Sequence, residues 1–508
     1  MTVAEVWNKV KNRWDKRYNY AILSVCLFGF LAHGFKFFNV LPNYDSLTSY
    51  YDPQNKIALG RCFLVIPCGL SSFYELPWVI AMLSIMYISL TCICIIELMD
   101  IKKRIAIMMT GGFLITFPAV TCIFSFMYTA DGYFAALLCV SLAMLLVLKK
   151  HKKGVLPAAV LVCFSLGIYQ AYIIFAMILV LIYGIKRILF DNVSIKRLFV
   201  DFGWTVLASG GGVVLYYILN QILLKLQKVE LSSYQGMSSL SIPDIEMVIE
   251  ALKESIKDFL RFFFYAEKGI SFYTMLNIVM TVFYIITVVI LCIRKKELHC
   301  FSKVVAIAGM VALLPFCTYI YYFFSKSVLY HTTMLECLAL VFIFMALIYE
   351  HSEKFSRFYL VQWIAVILSG LIIYNFILLA NICYTGMSKS YQSSLAITTR
   401  MMDRMEQTEN FKSEGSLAII GRLEGTAETT YNYPPDMTGI VPIYIMRIQA
   451  EYVQLFNLYC GTAYTEASRE EVDMILDSEE YQKMDCWPSK RSIMVIDGVT
   501  VIKFSSPE

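Results

Sequence analysis

VLPAAVLVCFSLGIYQAYIIFAMILVLIYGI, residues 155–185, runs 31 residues without a charge between two basic clusters, KKHKK (149–153) and IKR (185–187). A helix needs about 20 residues to cross roughly 30 Å of hydrocarbon. One long tilted helix would put the two clusters on opposite sides of a membrane. Two short helices, broken at SLGIYQAY (165–172), return the chain to the side it came from. The topology of everything downstream turns on that choice.

The rest of the chain favours the break. It has 508 residues, 58% hydrophobic and only 16% charged, against about 25% charged in soluble domains. This is the composition of an integral membrane protein. The net charge of +4 says less than its placement. Apolar runs fall at 20–40, 76–99, 105–124, 133–148, 155–167, 171–185, 199–224, 271–293, 303–324, 328–349 and 359–383, eleven spans in all. With the N-terminus inside, the inner segments carry 22 Lys and Arg and the outer loops 8. That is the positive-inside asymmetry, and a single helix over 155–185 would spoil it. The first span has no small-residue cleavage site, so it reads as an anchor. Residues from 384 onward lie outside. Most of the fifteen cysteines act as apolar fillers within spans. No CxxC metal signature and no internal repeat is present.

Three outer segments stand out. The loop 41–74 contains NYDSLTSYYDPQNKIALGR (43–61), and its stretch IALGRCFLVIPCGL reads as an interfacial helix. The loop 227–270 has apolar residues at helical spacing, Ile245, Val248, Ile249, Leu252, Ile256, Phe259 and Leu260, an amphipathic helix. The tail 384–508 reads as a small α/β domain. It has a helix SLAITTRMMDRMEQ, a strand GSLAIIGRL, a helix capped by Ser468 with Glu471, and a hairpin RSIMVIDGVTVIKF turning at Asp-Gly.

Charges at membrane depth are costly and read first as functional. Here Asp45, Asp52, Arg61, Asp131, Tyr169, Gln170, Lys268, Lys326 and His331 all fall at the outer interface, with no comparable layer at mid-bilayer. Transporters place their substrate sites near the midplane. The layout therefore favours an enzyme acting on head groups at the outer leaflet over a polysaccharide or lipid-linked-sugar flippase. A third reading, a polymerase or ligase, normally relies on late outer loops rich in Arg and His, and the 227–270 loop has one arginine, Arg261. Guanidinium and ammonium groups suit a lipid phosphate, and a carboxylate can take a proton from an incoming hydroxyl.

Each candidate has a plain structural reading beside the functional one. Asp45 fits an Asx turn and Asp52, before Pro53, a turn acid. Asp131 fits a helix-start acid. Arg61 can snorkel to head groups. Tyr169 and Gln170 fit a polar turn, His331 a packed interfacial histidine, Lys268 and Lys326 interfacial lysines. The glycines of ASGGGVV (208–214) fit close helix packing better than a phosphate loop.

NYDSL, the following LGR, FMYTADGYFAALL and SLGIYQAY, in that order and placed between spans, resemble the GtrII-type glucosyltransferase family of bacterial surface-polysaccharide modification. The resemblance covers roughly the first 380 residues. It implies a GT-C-like fold: an all-α polytopic membrane domain at 1–383 of about eleven transmembrane helices, followed by the extracytoplasmic α/β domain at 384–508. It also implies hexosyl transfer, with glucose the expected sugar, from a polyprenyl-phosphate carrier to a glycan acceptor outside the cytoplasmic membrane. A companion flippase and a lipid-sugar synthase would serve it; nucleic acid is no partner. The family pattern makes Asp45 the essential loop acid, Asp131 the TAD acid and Arg61 the LGR arginine. Where relatives often carry Trp after that arginine, this chain has Cys62. Asp45 would accept the acceptor proton and Arg61, with Lys326 or Lys268, would hold the leaving phosphate. Asp131 would orient the acceptor or serve as the base itself. Asp52, Tyr169, Gln170 and His331 would contact substrate. No cofactor is required; a divalent ion between Asp45 and Asp131 is the alternative.

Overall fold

The computed structural model describes residues 1–234, 244–265, 271–294, 301–352, 359–423, 437–440 and 443–505. The helices run in chain order α1 Val3–Arg13, α2 Lys16–Phe38, α3 Tyr44–Thr48, α4 Val65–Leu70, α5 Pro77–Met99, α6 Arg104–Thr116, α7 Pro118–Ser125, α8 Met127–Lys150, α9 Lys152–Ile168, α10 Tyr172–Leu189, α11 Ile195–Gln227, α12 Ile245–Phe264, α13 Phe272–Arg294, α14 Phe301–Thr318, α15 Ala339–Glu350, α16 Tyr359–Glu406, α17 Gln449–Tyr459, α18 Arg469–Asp477 and α19 Glu479–Gln482. The chain does break between Ile168 and Tyr172, within SLGIYQAY.

Among the described residues, eight helices are long and apolar enough to cross a membrane, or nine if the bent pair α6–α7 is one span. That pair bends by 41° where Pro118 begins α7 and cannot donate to the preceding turn. Two of the eleven expected stretches form shorter helices. Helix α9 has 17 residues and an internal Pro157. The stretch 328–349 opens with single turns and becomes helical only from Ala339, giving α15 of 12 residues.

Two other expectations change. The expected interfacial helix at IALGRCFLVIPCGL is two short pieces, a turn at Ile57–Leu59 and α4. Gly60 interrupts them at φ 67°, a left-handed conformation that costs glycine nothing. The last span and the first tail helix are one helix. Helix α16 has 48 residues, about 70 Å at 1.5 Å per residue, far more than a bilayer core needs. Its far end buries Ile397, Met401, Met402 and Met405, spaced to share a face.

That face seats the C-terminal sheet. Strands β1 Glu414–Ile420, β2 Ala463–Glu466, β3 Ile493–Ile496 and β4 Val499–Lys503 lie in the order β2-β1-β4-β3. Strand β1 is parallel to both neighbours, and β3–β4 is the antiparallel hairpin. The hairpin turns at Asp497 and Gly498, φ 47° and 83°, the left-handed pair that a tight two-residue turn demands. Ser468 and Glu471 form the expected capping box at α18. One apolar cluster joins Met401 and Met405 of α16, Leu417 of β1, Phe456 of α17 and Leu47 of α3. The first loop and the chain's last hundred residues thus share a core.

Helix α12 is present and amphipathic, with part of its apolar stripe facing outward and Val248, Leu252 and Phe259 half-buried. Ile245, Ile249, Ile256 and Leu260 are exposed, while Met247, Ala251, Ser255, Phe262 and Phe263 are buried.

Candidate active site

The first loop is built on a buried ion pair. Lys36, at the end of α2, is fully buried and stands 3.9 Å from the carboxylate of Glu75. Its Nζ donates to the Leu41 carbonyl at 2.5 Å. Burial pushes the Glu75 carboxyl up, against the pull of Lys36. Above the pair, Asn43 caps α3: its Oδ1 accepts from the Ser46 amide at 2.9 Å. Asn43, Ser46 and Leu47 are buried, so Asp45, in the first turn, is held half-exposed on a fixed platform.

Three basic groups act on Asp45. The Arg447 guanidinium, from the end of the chain, lies 4.0 Å from its carboxylate and covers the Tyr44 ring at 3.1 Å from the centroid. Glu451, 2% exposed, steadies Arg447 by accepting from its amide and side chain. Burial raises the Asp45 pKa above the usual carboxylate range, while Arg447, then Arg61, then His331 pull it back down.

Arg61 is positioned by the glycine turn before it. Tyr216 donates to the Gly60 carbonyl at 2.9 Å, and Gln170 donates to the Leu59 carbonyl and the Tyr216 hydroxyl at 3.0 and 3.1 Å. Gln170 therefore clamps the arginine's loop. The guanidinium sits 5.8 and 5.6 Å from the ring centres of Tyr133 and Tyr169, which stack on each other at 4.3 Å and 8°. Tyr169 is anchored through Thr333 Oγ1 at 3.1 Å. The Arg61 Nε is buried and lacks a hydrogen-bond partner among the described residues. A buried guanidinium N–H without an acceptor is costly, and a phosphate oxygen would satisfy it.

The other sequence candidates are placed differently. Asp52 is paired with Lys56 four residues on, within its own turn. Lys326 pairs with Glu250 at 3.5 Å, both more than half exposed. Lys268 lies outside the described residues. His331 begins the turn that carries Thr333 toward Tyr169. Asp131 is fully buried beneath α4: its Oδ1 accepts from the Gly132 amide at 2.9 Å and lies 3.9 Å from Cys68 Sγ, and its Oδ2 has no partner among the described residues. So Asp45, Arg61, Tyr169, Gln170 and His331 come together at one end of the helices, whereas Asp131 faces α4.

Several residues escaped the sequence reading. Tyr133 stood in the quoted FMYTADGYFAALL, but nothing in a single strand of letters pairs its ring with Tyr169. Lys36 and Glu75, each at a span's edge, were visible as charges. Arg447 and Glu451 had a weaker signal, an i,i+4 ion pair. Glu336 is 1% exposed with both carboxylate oxygens unpartnered among the described residues.

No curated protein and no solved structure matches this chain. The model of one family, glucosyl transferase GtrII, matches residues 34–369. That range holds Asp45, Arg61, Tyr133, Tyr169, Gln170 and His331 and leaves out Arg447. Covering well over half of the chain, the match shows that this membrane protein belongs to the GtrII glucosyltransferase family.

Proposed function

We propose that the protein moves glucose from a polyprenyl-phosphate carrier to a cell-surface polysaccharide, on the outer side of the cytoplasmic membrane. The observation that carries this reading is that the Arg61 charge acts on the Asp45 carboxylate. A half-exposed carboxylate with a raised pKa lies within the field of a guanidinium whose Nε lacks an acceptor. The carboxylate takes the proton of the acceptor hydroxyl as its oxygen bonds to the anomeric carbon. The bond from that carbon to the phosphate oxygen breaks, and the carrier leaves as polyprenyl phosphate, its charge held by Arg61. The stacked Tyr133 and Tyr169 wall the guanidinium in and keep it aimed. When protonated, His331 adds positive potential near the carboxylate. The concentration of Lys and Arg in the segments at the opposite end of the helices supports the orientation. Family membership supports the sugar.

The test is transfer of labelled glucose from polyprenyl-phosphate glucose to surface glycan in membranes holding the full chain. Asp45→Asn is expected to lose about 10²–10⁴-fold, the range of a general base. Arg61→Gln is expected to lose about 10–100-fold, mostly in kcat, because its charge matters most as the phosphate departs. An Asp45→Asn rate near wild type would remove Asp45 from this role. Comparing surface glycan from cells with and without the protein should show the loss of a side-branch hexose by mass.

A further inference from the structure

The C-terminal segment contains a cavity of about 430 Å³, within the size range of small-molecule sites. It lies past the carboxyl end of β1, at the start of α17, and is lined by Ile419, Gly421, Arg422, Tyr444, Arg447 and Tyr452 among others. Two parallel neighbours flank β1, and the mouth beyond the carboxyl ends of parallel strands is where α/β sheets receive ligands. Gly421 makes the turn there at φ 81°. A Cβ would meet the Ser505 backbone at 2.5 Å, so the chain turns close against the sheet's last strand. The Arg422 amide then donates to Ser505 Oγ at 3.1 Å, which fixes where its side chain starts.

The lining chemistry is one-sided. Among the described residues it includes two arginines, two tyrosines and a glutamine, and no carboxylate. Glu451, beside the lining Tyr452, is occupied with the Arg447 and Ile448 amides and the Arg447 guanidinium. Gln449 is spent on structure, bridging the Ile419 amide and the Ala467 carbonyl at 3.1 and 3.0 Å. Arg422 is left as a donor for an anion; Arg447, whose guanidinium already faces Glu451 and Asp45, adds its positive charge beside it, and the tyrosines offer flat faces for sugar rings. Arg447 also stands 4.0 Å from Asp45, so it belongs to the cavity wall and to the active site together.

We propose that this cavity is the acceptor subsite and that it takes an anionic saccharide, a phosphate- or carboxylate-bearing unit of the glycan, through Arg422 and Arg447. The inference rests on the glycosyl-transfer reading above. Anchoring the charged unit behind Arg447 brings a neighbouring hydroxyl to Asp45, so acceptor choice is made by a part of the chain that the GtrII family model does not span.

The experiment uses the full chain in lipid nanodiscs, polyprenyl-phosphate glucose as donor and surface glycan from cells lacking the protein as acceptor. Inorganic phosphate and glucuronate serve as probe anions. At least one probe is expected to compete with acceptor and not with donor, and the stronger competitor identifies the anion. Arg422→Ala is expected to raise the acceptor KM about tenfold, the loss of one charge-assisted hydrogen bond, with donor KM within twofold. Arg422→Lys should recover part of that loss. Arg422 is exposed, and Tyr444→Ala gives a second variant should folding suffer. The proposal is overturned if neither probe competes with acceptor, or if both variants leave acceptor KM unchanged. It also falls if Arg422→Ala raises the donor KM instead, which would assign the cavity to the lipid phosphate. Transfer by the wild type with an unmoved acceptor KM sinks only the cavity; no transfer at all sinks the functional reading with it.

Discussion

Asp45 carries the sharpest consequence of a single environment. Its burial disfavours charge, and Arg447 opposes that burial more strongly than Arg61 or His331. In the proposed mechanism the base must be ionised, so activity is expected to fall as pH drops through a pKa lying above the ordinary carboxylate value. Arg447→Gln removes the strongest opposing charge, so Asp45's pKa rises further. The acid limb of the rate profile is expected to move to higher pH. At neutral pH the part of the kcat/KM loss that acts through Asp45 should be up to about fivefold, the ~1 kcal/mol of a half-exposed ion pair, with any rise in acceptor KM from the lost anion contact added to it. A pH series on both proteins checks it; a uniform drop with an unmoved limb would mean that Arg447 acts on something other than Asp45's proton. Asp45 and Arg61 were legible because they are charges in one short loop of an oily chain. Asp52 looked equivalent, and its pairing with Lys56 follows from how the loop folds.

Packing between elements explains where the Arg61 loop stops. At the end of α9 a Cβ on Gly167 would lie 2.3 Å from Phe63 Cδ2 and 3.1 Å from Cys62 Sγ. The Phe63 amide donates to the Gly167 carbonyl at 2.7 Å, and Phe63 stacks on Phe164 at 5.2 Å. Only a residue without a side chain lets the loop approach this closely. The same contact accounts for a thiol at position 62, buried against α9 and α11, where a tryptophan would need the loop to lift. Gly167→Ala is expected to cost about 1–3 kcal/mol through overpacking. It should lower Tm, and it should reduce transfer by displacing Arg61. Thermal unfolding read beside a transfer assay checks both. The helix break at 168–172 was legible from length and charge placement. Its use, aligning Tyr169 with Tyr133 and turning Gln170 onto the loop, was not.

For the whole molecule, the question is how the C-terminal sheet is held over the helices. Helix α16 runs continuously into it, Leu47 of the first loop joins its core, and residues 437–440 dock on α7. Thr438 Oγ1 accepts from the Thr332 amide at 3.0 Å. Gly439 has φ 85°, and a Cβ there would stand 1.9 Å from Ser125 Oγ. Gly439→Ala is expected to cost about 2–4 kcal/mol, strain and overlap together, and to weaken transfer without lowering helix content. Circular dichroism and the transfer assay, run on the same preparation, separate the two. The sequence by itself determined what local physics can write: apolar length, the break in SLGIYQAY, the capping box at Ser468, the Asp-Gly hairpin, and the loop bearing Asp45 and Arg61. Tertiary structure alone decided which face of α12 packs, that α16 continues into the sheet, that Asp131 turns beneath α4, and that Arg447 reaches Asp45 across some four hundred residues. Turn chemistry and periodicity act over a few residues; the partner of a charge or a packed face is fixed only when distant parts of the chain compete for the same space.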